Sequence, residues 1–184
     1  MSRARPPRLA LLLRAALALS CIAAADARDE SLEYAVKATF LYKFASFVDW
    51  PAGAFETPAS PVVLCVMGND PVTRLIDRAA GGQRVGERPI VVRHLAAVTR
   101  ESGCHEVYAG VAASARLAAL EGLRGAAVLT ISDGALPTAG GGIIGFVIQD
   151  NRVRFDIDDG AAAASGLTIR SQLLALARSV RPRN

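Results

Sequence analysis

The chain has 184 residues, with 21 lysines and arginines against 17 aspartates and glutamates. Four of the arginines lie within residues 1–25, which hold no acidic residue, so residues 26–184 carry 17 positive and 17 negative charges. Because nucleic acids are bound by basic surfaces, this balance argues against a nucleic-acid partner for the part of the chain after residue 25.

The N-terminus has the features of a secretory signal peptide. Residues 1–25 combine a basic segment with an apolar stretch after Arg14, and small residues place cleavage near Ala25 or Ala27. One alternative is an uncleaved membrane anchor, but Arg14 interrupts an apolar stretch that would need about 20 residues to span a bilayer. Another alternative is lipidation at Cys21. We predict that residues 1–25 are a signal peptide and that the protein is exported across a membrane.

Two cysteines follow the predicted signal peptide, Cys65 and Cys104. In an oxidising compartment an even number of cysteines favours a disulfide, and two buried free thiols are the alternative. A bridge between residues 39 positions apart would stabilise the fold by about 4 kcal/mol if loss of chain entropy in the unfolded state dominates.

Periodicity predicts an alternating series of helices and strands along the rest of the chain. Apolar residues at spacings of three and four predict the helices, and short apolar runs bounded by glycine or proline predict the strands. The predicted helices are 30–48, 71–80, 112–122, 160–165 and 168–180, the last with Ile169, Leu173, Leu176 and Val180 on one face. The predicted strands are 61–67, 89–93, 105–109, 126–131, 143–148 and 153–157.

This order of elements predicts an α/β fold. Alternation of strands and helices indicates a mostly parallel sheet with helices on both faces. The short connection at residues 149–152 indicates that the last two predicted strands form an antiparallel hairpin. We therefore predict a single-domain three-layer sandwich over residues 30–181, with a mixed, mostly parallel sheet and a C-terminal antiparallel hairpin.

Candidate catalytic and ligand-binding motifs are few. His94 and His105 are 11 residues apart, which is not a metal-ligand spacing, and each is predicted to be a surface or strand-edge histidine. Residues 140–145 satisfy the pattern G-x-G-x-x-G, which binds dinucleotides only where it follows a strand and opens a helix. A predicted strand follows it here, so we interpret the segment as a loop that enters the hairpin.

A cluster of aspartates could suggest calcium. Asp156, Asp158 and Asp159 precede Gly160, but the glycine and the residue at the twelfth position do not match an EF-hand loop. Helix capping by Asp158 or Asp159 is the simpler interpretation. We predict no catalytic residues, no cofactor and no metal site, and therefore a binding or regulatory protein instead of an enzyme.

Several segments, taken together and in this order, resemble one known family. They are 34–51, 64–71, 104–108, 128–133, 141–146, 151–157 and 164–174. In these segments the chain resembles the YfiR-like family of periplasmic proteins, from about Glu33 to Ala177. The resemblance implies an exported α/β protein that binds the periplasmic sensor region of an inner-membrane diguanylate cyclase. It implies that binding represses the cyclase and so limits cyclic-di-GMP signalling and biofilm growth.

The resemblance also bears on the cysteines and on the oligomeric state. It implies that Cys65 and Cys104 form a disulfide, whereas the second cysteine pair of some members is missing here. Asp158 stands where an asparagine is common in the family. A homodimer is compatible with the resemblance, and the residues that contact the partner are not identified by the sequence. The alternative function is a periplasmic small-molecule-binding module that reports to a histidine kinase or a transporter.

Overall fold

The computed structural model describes residues 31–110, 114–134 and 142–183, without the side chains of residues 114–117. The chain divides into a unit Met1–Glu33 and a unit Tyr34–Asn184, and the second contains all of the described strands, from Val48 to Arg181. The predicted signal peptide, including Cys21 and the cleavage positions Ala25 and Ala27, lies outside the described residues.

The described residues contain five helices and ten strands. The helices are α1 (31–44), α2 (Pro71–Ala80), α3 (Ser114–Gly122), α4 (Asp159–Ala164) and α5 (Ser171–Leu176), and short 3-10 turns cover Ala45–Phe47 and Arg100–Ser102. The strands are β1 (Val48–Asp49), β2 (Val62–Met67), β3 (Arg84–Val85), β4 (Arg88–His94), β5 (Glu106–Ala109), β6 (Leu129–Asp133), β7 (Ile144–Gln149), β8 (Arg152–Asp158), β9 (Thr168–Ile169) and β10 (Ser179–Arg181). Among these residues, no helix has both the length and the apolar character needed to cross a membrane.

Eight of the strands form one sheet in the order β10-β8-β7-β6-β5-β2-β4-β3. The pairs β4–β2, β2–β5, β5–β6 and β6–β7 are parallel, and β10 lies parallel to β8. The pairs β7–β8 and β3–β4 are antiparallel. The predicted α/β class, with a mixed and mostly parallel sheet and a C-terminal hairpin, is confirmed.

Both faces of the central strands are covered by apolar side chains, which is why β2 reads as a continuous apolar run. Leu64 and Val66 belong to a larger cluster with residues of α1, α2, α4 and α5, whereas Cys65 and Met67 belong to a smaller cluster with residues of α3. Successive strand residues point to opposite faces, so the alternation along β2 divides the core into these two layers.

An aromatic cluster joins α1 to the hairpin. The rings of Phe40 and Phe44 lie 5.1–6.2 Å, between centroids, from those of Phe146 and Phe155. These distances are in the range where aromatic pairs attract each other beyond simple burial, by about 0.5–1.5 kcal/mol a pair. The face of α1 that carries Phe40 and Phe44 therefore packs on the sheet.

Two predicted helix boundaries are wrong. The first helix ends at residue 44 rather than 48, because Val48 and Asp49 form β1 and pair with β9. The predicted helix 168–180 is broken into β9, α5 and β10. Leu176 is 61% exposed and Val180 is 37% exposed, so the predicted apolar face does not exist beyond Leu173.

Candidate functional site

The two cysteines of the described chain are linked to each other. Cys65 in β2 and Cys104, just before β5, form a disulfide with their Cα atoms 5.8 Å apart. Cys65 is fully buried and Cys104 is 8% exposed. The bridge links the residues just before β5 to the neighbouring strand β2. A groove of about 390 Å³ is lined in part by Cys104 and His105.

His105 is held by two backbone groups that fix its protonation. The backbone N–H of Val63 donates to Nδ1 at 3.1 Å, so Nδ1 must be unprotonated. The proton is therefore on Nε2, which donates to the carbonyl oxygen of Ala54 at 2.9 Å. This arrangement requires a neutral imidazole, because an imidazolium would direct a second N–H at the N–H of Val63.

An aromatic stack completes the surroundings of this histidine. The ring of His105 lies on Phe55 with centroids 4.2 Å apart, and the guanidinium of Arg88 lies 3.7 Å from the centroid of Phe55. Burial lowers the pKa of His105, and the charge of Arg88 lowers it further, against the opposing effect of the hydrogen bond to Ala54. The segment between α1 and β2 is thus attached to β5 through a neutral histidine.

Acidification should weaken this attachment. The pKa of His105 is lowered in the folded state, so the unfolded chain binds its proton more readily. The stability due to the neutral ring is complete above about pH 6.5, the ordinary pKa of histidine, and is lost as the pH falls toward the lowered pKa. We expect the free energy of unfolding, measured in denaturant at a series of pH values, to fall more steeply below pH 6.5 in the wild type than in His105→Gln.

The other histidine supplies the matched control. His94 is 48% exposed at the end of β4, where Nε2 lies 2.8 Å from a carboxylate oxygen of Asp77. His94→Gln should retain the steeper fall that His105→Gln loses. Identical pH profiles for the wild type and His105→Gln would contradict the assignment.

The strand order changes direction at β2, which has β4 on one side and β5 on the other. In open α/β sheets, ligands bind beyond the carboxyl ends of the strands at such a point. In this protein Asp70 lies just beyond the carboxyl end of β2. Its Oδ1 accepts a hydrogen bond of 2.8 Å from the N–H of Thr73 and so caps α2. A Cβ on Gly110 would lie 1.4 Å from Oδ2 of Asp70, so only glycine fits beside the capping carboxylate.

A buried ion pair lies at the carboxyl end of β6. Nζ of Lys37 is 2.8 Å from Oδ1 and 3.0 Å from Oδ2 of Asp133. The two side chains are 4% and 8% exposed, and the hydroxyl of Tyr108 donates to the same carboxylate at 3.4 Å. This network joins α1 to the sheet through polar contacts inside an otherwise apolar layer.

Among the described residues, Glu106 is an acidic residue that is buried without a hydrogen-bond partner for its side chain. It lies in β5, is 0% exposed, and neither of its carboxylate oxygens has a hydrogen-bond partner. Burial raises the pKa of Glu106 well above its usual range. A buried carboxyl group without partners is held in its neutral form, because ionisation in an apolar surrounding is costly.

The C-terminal aspartates form ion pairs with arginines that follow them. Asp156, Asp158 and Asp159 pair with Arg178, Arg181 and Arg183, respectively. Asp158 also caps α4 by accepting a hydrogen bond from the N–H of Ala161 at 2.8 Å, as predicted. Asp158 therefore has two structural roles.

The remaining sequence motifs have simple placements. Residues 142 and 143 lead directly into β7, while residues 140 and 141 of the G-x-G-x-x-G pattern lie outside the described part. Over the described ranges, no group of three or more histidine, cysteine, aspartate or glutamate side chains is placed to hold a metal ion.

Sequence reasoning missed three of these features. Lys37 and Asp133 are 96 residues apart, and no local pattern connects them. Glu106 could have been noticed as a carboxylate inside an apolar strand, but burial depends on the layer that covers the strand. The role of Phe55 depends on its contacts with His105 and Arg88, which are distant in sequence.

Comparison with protein families gives one match. A family model described as YfiR/HmsC-like matches residues 34–178. This range contains strands β1 to β9, the disulfide and the Lys37–Asp133 pair. No curated protein matches the chain.

Proposed function

Because the chain belongs to the YfiR/HmsC-like family, we propose that it is an exported regulatory protein that represses a membrane diguanylate cyclase by binding its periplasmic sensor region. Repression would limit cyclic-di-GMP signalling and biofilm growth. The observation that carries the proposal is the family match, which covers the folded unit almost from end to end. The role proposed is regulatory and not catalytic.

The disulfide supports export. A bridge between Cys65 and Cys104 persists in oxidising compartments such as the periplasm, whereas cytosolic reductants keep thiols reduced. The bridge lies in the core at the junction of β2 and β5, so the folded unit depends on the compartment in which it forms. Cleavage of the signal peptide near Ala25 or Ala27 would release this unit into the periplasm.

The physical mechanism is a shift between two states of the cyclase. A regulator that binds the inactive state more tightly than the active state changes their populations by its difference in affinity. Moving the population from 1:99 to 99:1 requires a difference of about 10⁴-fold in affinity. A rigid, covalently tied domain presents one fixed binding surface, which can fit one state of the cyclase and clash with the other, and this mismatch provides the difference in affinity.

Deletion of the gene tests the proposal. We expect the cellular concentration of cyclic-di-GMP to rise in the deletion strain and to return to the starting value when the full chain is supplied in trans. A version without residues 2–25 should fail to restore it, because the folded unit would remain in the cytosol. An unchanged concentration of cyclic-di-GMP after deletion, with and without reductant in the medium, would count against repression.

A further inference from the structure

One edge of the eight-stranded sheet is open over most of its length. β3 pairs only with Arg88 and Pro89 of β4. The next contact on that side is the N–H of Ile90, which donates to the carbonyl oxygen of Gln83 at 3.0 Å. From Val91 onward, no strand lies outside β4 in the described part of the chain.

The direction of the backbone groups follows from two hydrogen bonds of β4 and the residue after it. The N–H of Leu95 donates to Val66 of β2 at 3.0 Å, and the N–H of Ile90 points to the opposite side. Backbone groups alternate along a strand, so the N–H and C=O groups of Val92 and His94 point away from β2. They form the unpaired row that allows another chain to add a strand.

The side chains of this edge are apolar and β-branched. Ile90 and Val92 are half-buried, and Val91 is 42% exposed. Such residues favour strand pairing because they pack well on the surface of a sheet. An added strand would cover Val91 and satisfy the outward backbone groups at the same time.

The charge around this edge indicates the chemistry of the occupant. Residues 77–94 contain four arginines and two acidic residues, Asp77 and Glu87, of which Asp77 pairs with His94, while residues 26–184 as a whole are balanced. Arg78, Arg84 and Arg93 are exposed, and none of them forms an ion pair with the described residues. A local excess of positive charge attracts an acidic partner and repels a basic one.

We propose that the open edge of β4, from Val91 to His94, binds an extended acidic segment of the partner protein as an added β-strand. Backbone hydrogen bonds to Val92 and His94 would provide affinity, and Arg84 and Arg93 would select for carboxylates. The proposal rests on the proposed function, since the partner is taken to be the periplasmic region of the repressed cyclase.

Val92→Pro tests the edge directly. Proline removes the outward N–H and blocks an added strand, but costs no hydrogen bond to β2 because that N–H points away from β2. We expect the deletion strain carrying Val92→Pro to keep the high cyclic-di-GMP concentration of the deletion strain. Circular dichroism and thermal melting of the purified variant would show that it folds.

Ser179→Pro is the matched control at the opposite edge. The N–H of Arg178 donates to Phe155 of β8 at 2.8 Å, so the N–H of Ser179 points outward by the same alternation. Ser179→Pro should restore the low cyclic-di-GMP concentration as the wild type does. Restoration by Val92→Pro to the same level would overturn the assignment of the edge.

A charge variant keeps the proposal testable if Val92→Pro does not fold. Arg84→Glu/Arg93→Glu changes two exposed side chains and leaves the strand sequence of Ile90 to Val92 intact. We expect it to fold and to lose repression, because carboxylates would then face an acidic segment. Full repression by this variant would contradict the acidic character of the partner strand.

Two further outcomes separate the alternatives. If the wild type supplied in trans fails to lower cyclic-di-GMP, the proposed function fails, whatever the variants do. If the purified wild type sediments as a dimer that Val92→Pro dissociates, the occupant of the edge is a second copy of this chain. That result would overturn the proposal of an acidic partner strand.

Discussion

Removing the disulfide should lower the free energy of unfolding by about 4 kcal/mol, because the unfolded chain regains the freedom of a closed loop of 39 residues. For a domain of this size, such a loss corresponds to a melting temperature lower by roughly 8–16 °C. The variant is Cys65→Ala/Cys104→Ala, and the measurement is denaturant unfolding followed by circular dichroism.

The same experiment with and without reductant provides the control. Reductant should destabilise the wild type and should have no effect on the double alanine variant, since the variant has no bridge to reduce. The variant also loses part of the packing around Cys65, whereas the reduced wild type keeps both cysteine side chains, so the response of the wild type to reductant isolates the covalent link. Two alkylatable thiols in native, unreduced wild type would show that the bridge does not form.

Breaking the buried ion pair should have a comparable effect. Lys37→Met leaves the carboxylate of Asp133 without its cation in a site that is 8% exposed. Leaving one partner of a buried pair uncompensated costs about 3–5 kcal/mol. We expect the free energy of unfolding to fall by about that amount, which thermal and denaturant unfolding would both detect.

Lys43→Met is the matched control, because Lys43 is an exposed lysine on the same helix. A surface substitution of this kind usually changes stability by about 0.5 kcal/mol or less. The double variant Lys37→Met/Asp133→Leu should recover much of the loss, since an apolar pair removes the unpaired charge. Equal stability of Lys37→Met and Lys43→Met would mean that the pair does not contribute.

The sequence predicts those parts of the fold that depend only on a residue and its neighbours in the chain. Asp70 and Pro71 fix the start of α2, and Gln149–Arg152 close the hairpin, because capping and turn geometry are local. The alternation of strands and helices then leaves few arrangements other than a mostly parallel sheet.

The C-terminal segment shows where local patterns fail. Ile169 and Leu173 are only 3% and 2% exposed, and their spacing of four residues is that of a helix face. Thr168 and Ile169 instead pair with β1. Arg178 and Arg181 hold the last strand against β8 through carboxylates more than 20 residues away in the chain. Tertiary pairing therefore overrides a short helical pattern.

The candidate sites were predictable to different degrees. The cysteine pair could be expected from composition and compartment, and the cap by Asp158 from its position before a helix. The neutral state of His105 could not, because it depends on Val63, Ala54 and Arg88, which meet only after the segment between α1 and β2 folds over the sheet. The open edge of β4 likewise depends on how early β3 ends.

His105 and Glu106 are adjacent in the chain, and folding shifts their pKa values in opposite directions. Glu106 is ionised in the unfolded chain at neutral pH, and burial raises its pKa well above the usual range in the folded chain, so folding takes up protons from the solvent. In mildly acidic solution His105 does the reverse, since its ring releases a proton on entering the stack. The heat of folding should therefore depend on the ionisation enthalpy of the buffer at neutral pH, and much less in mild acid, where the two exchanges oppose each other.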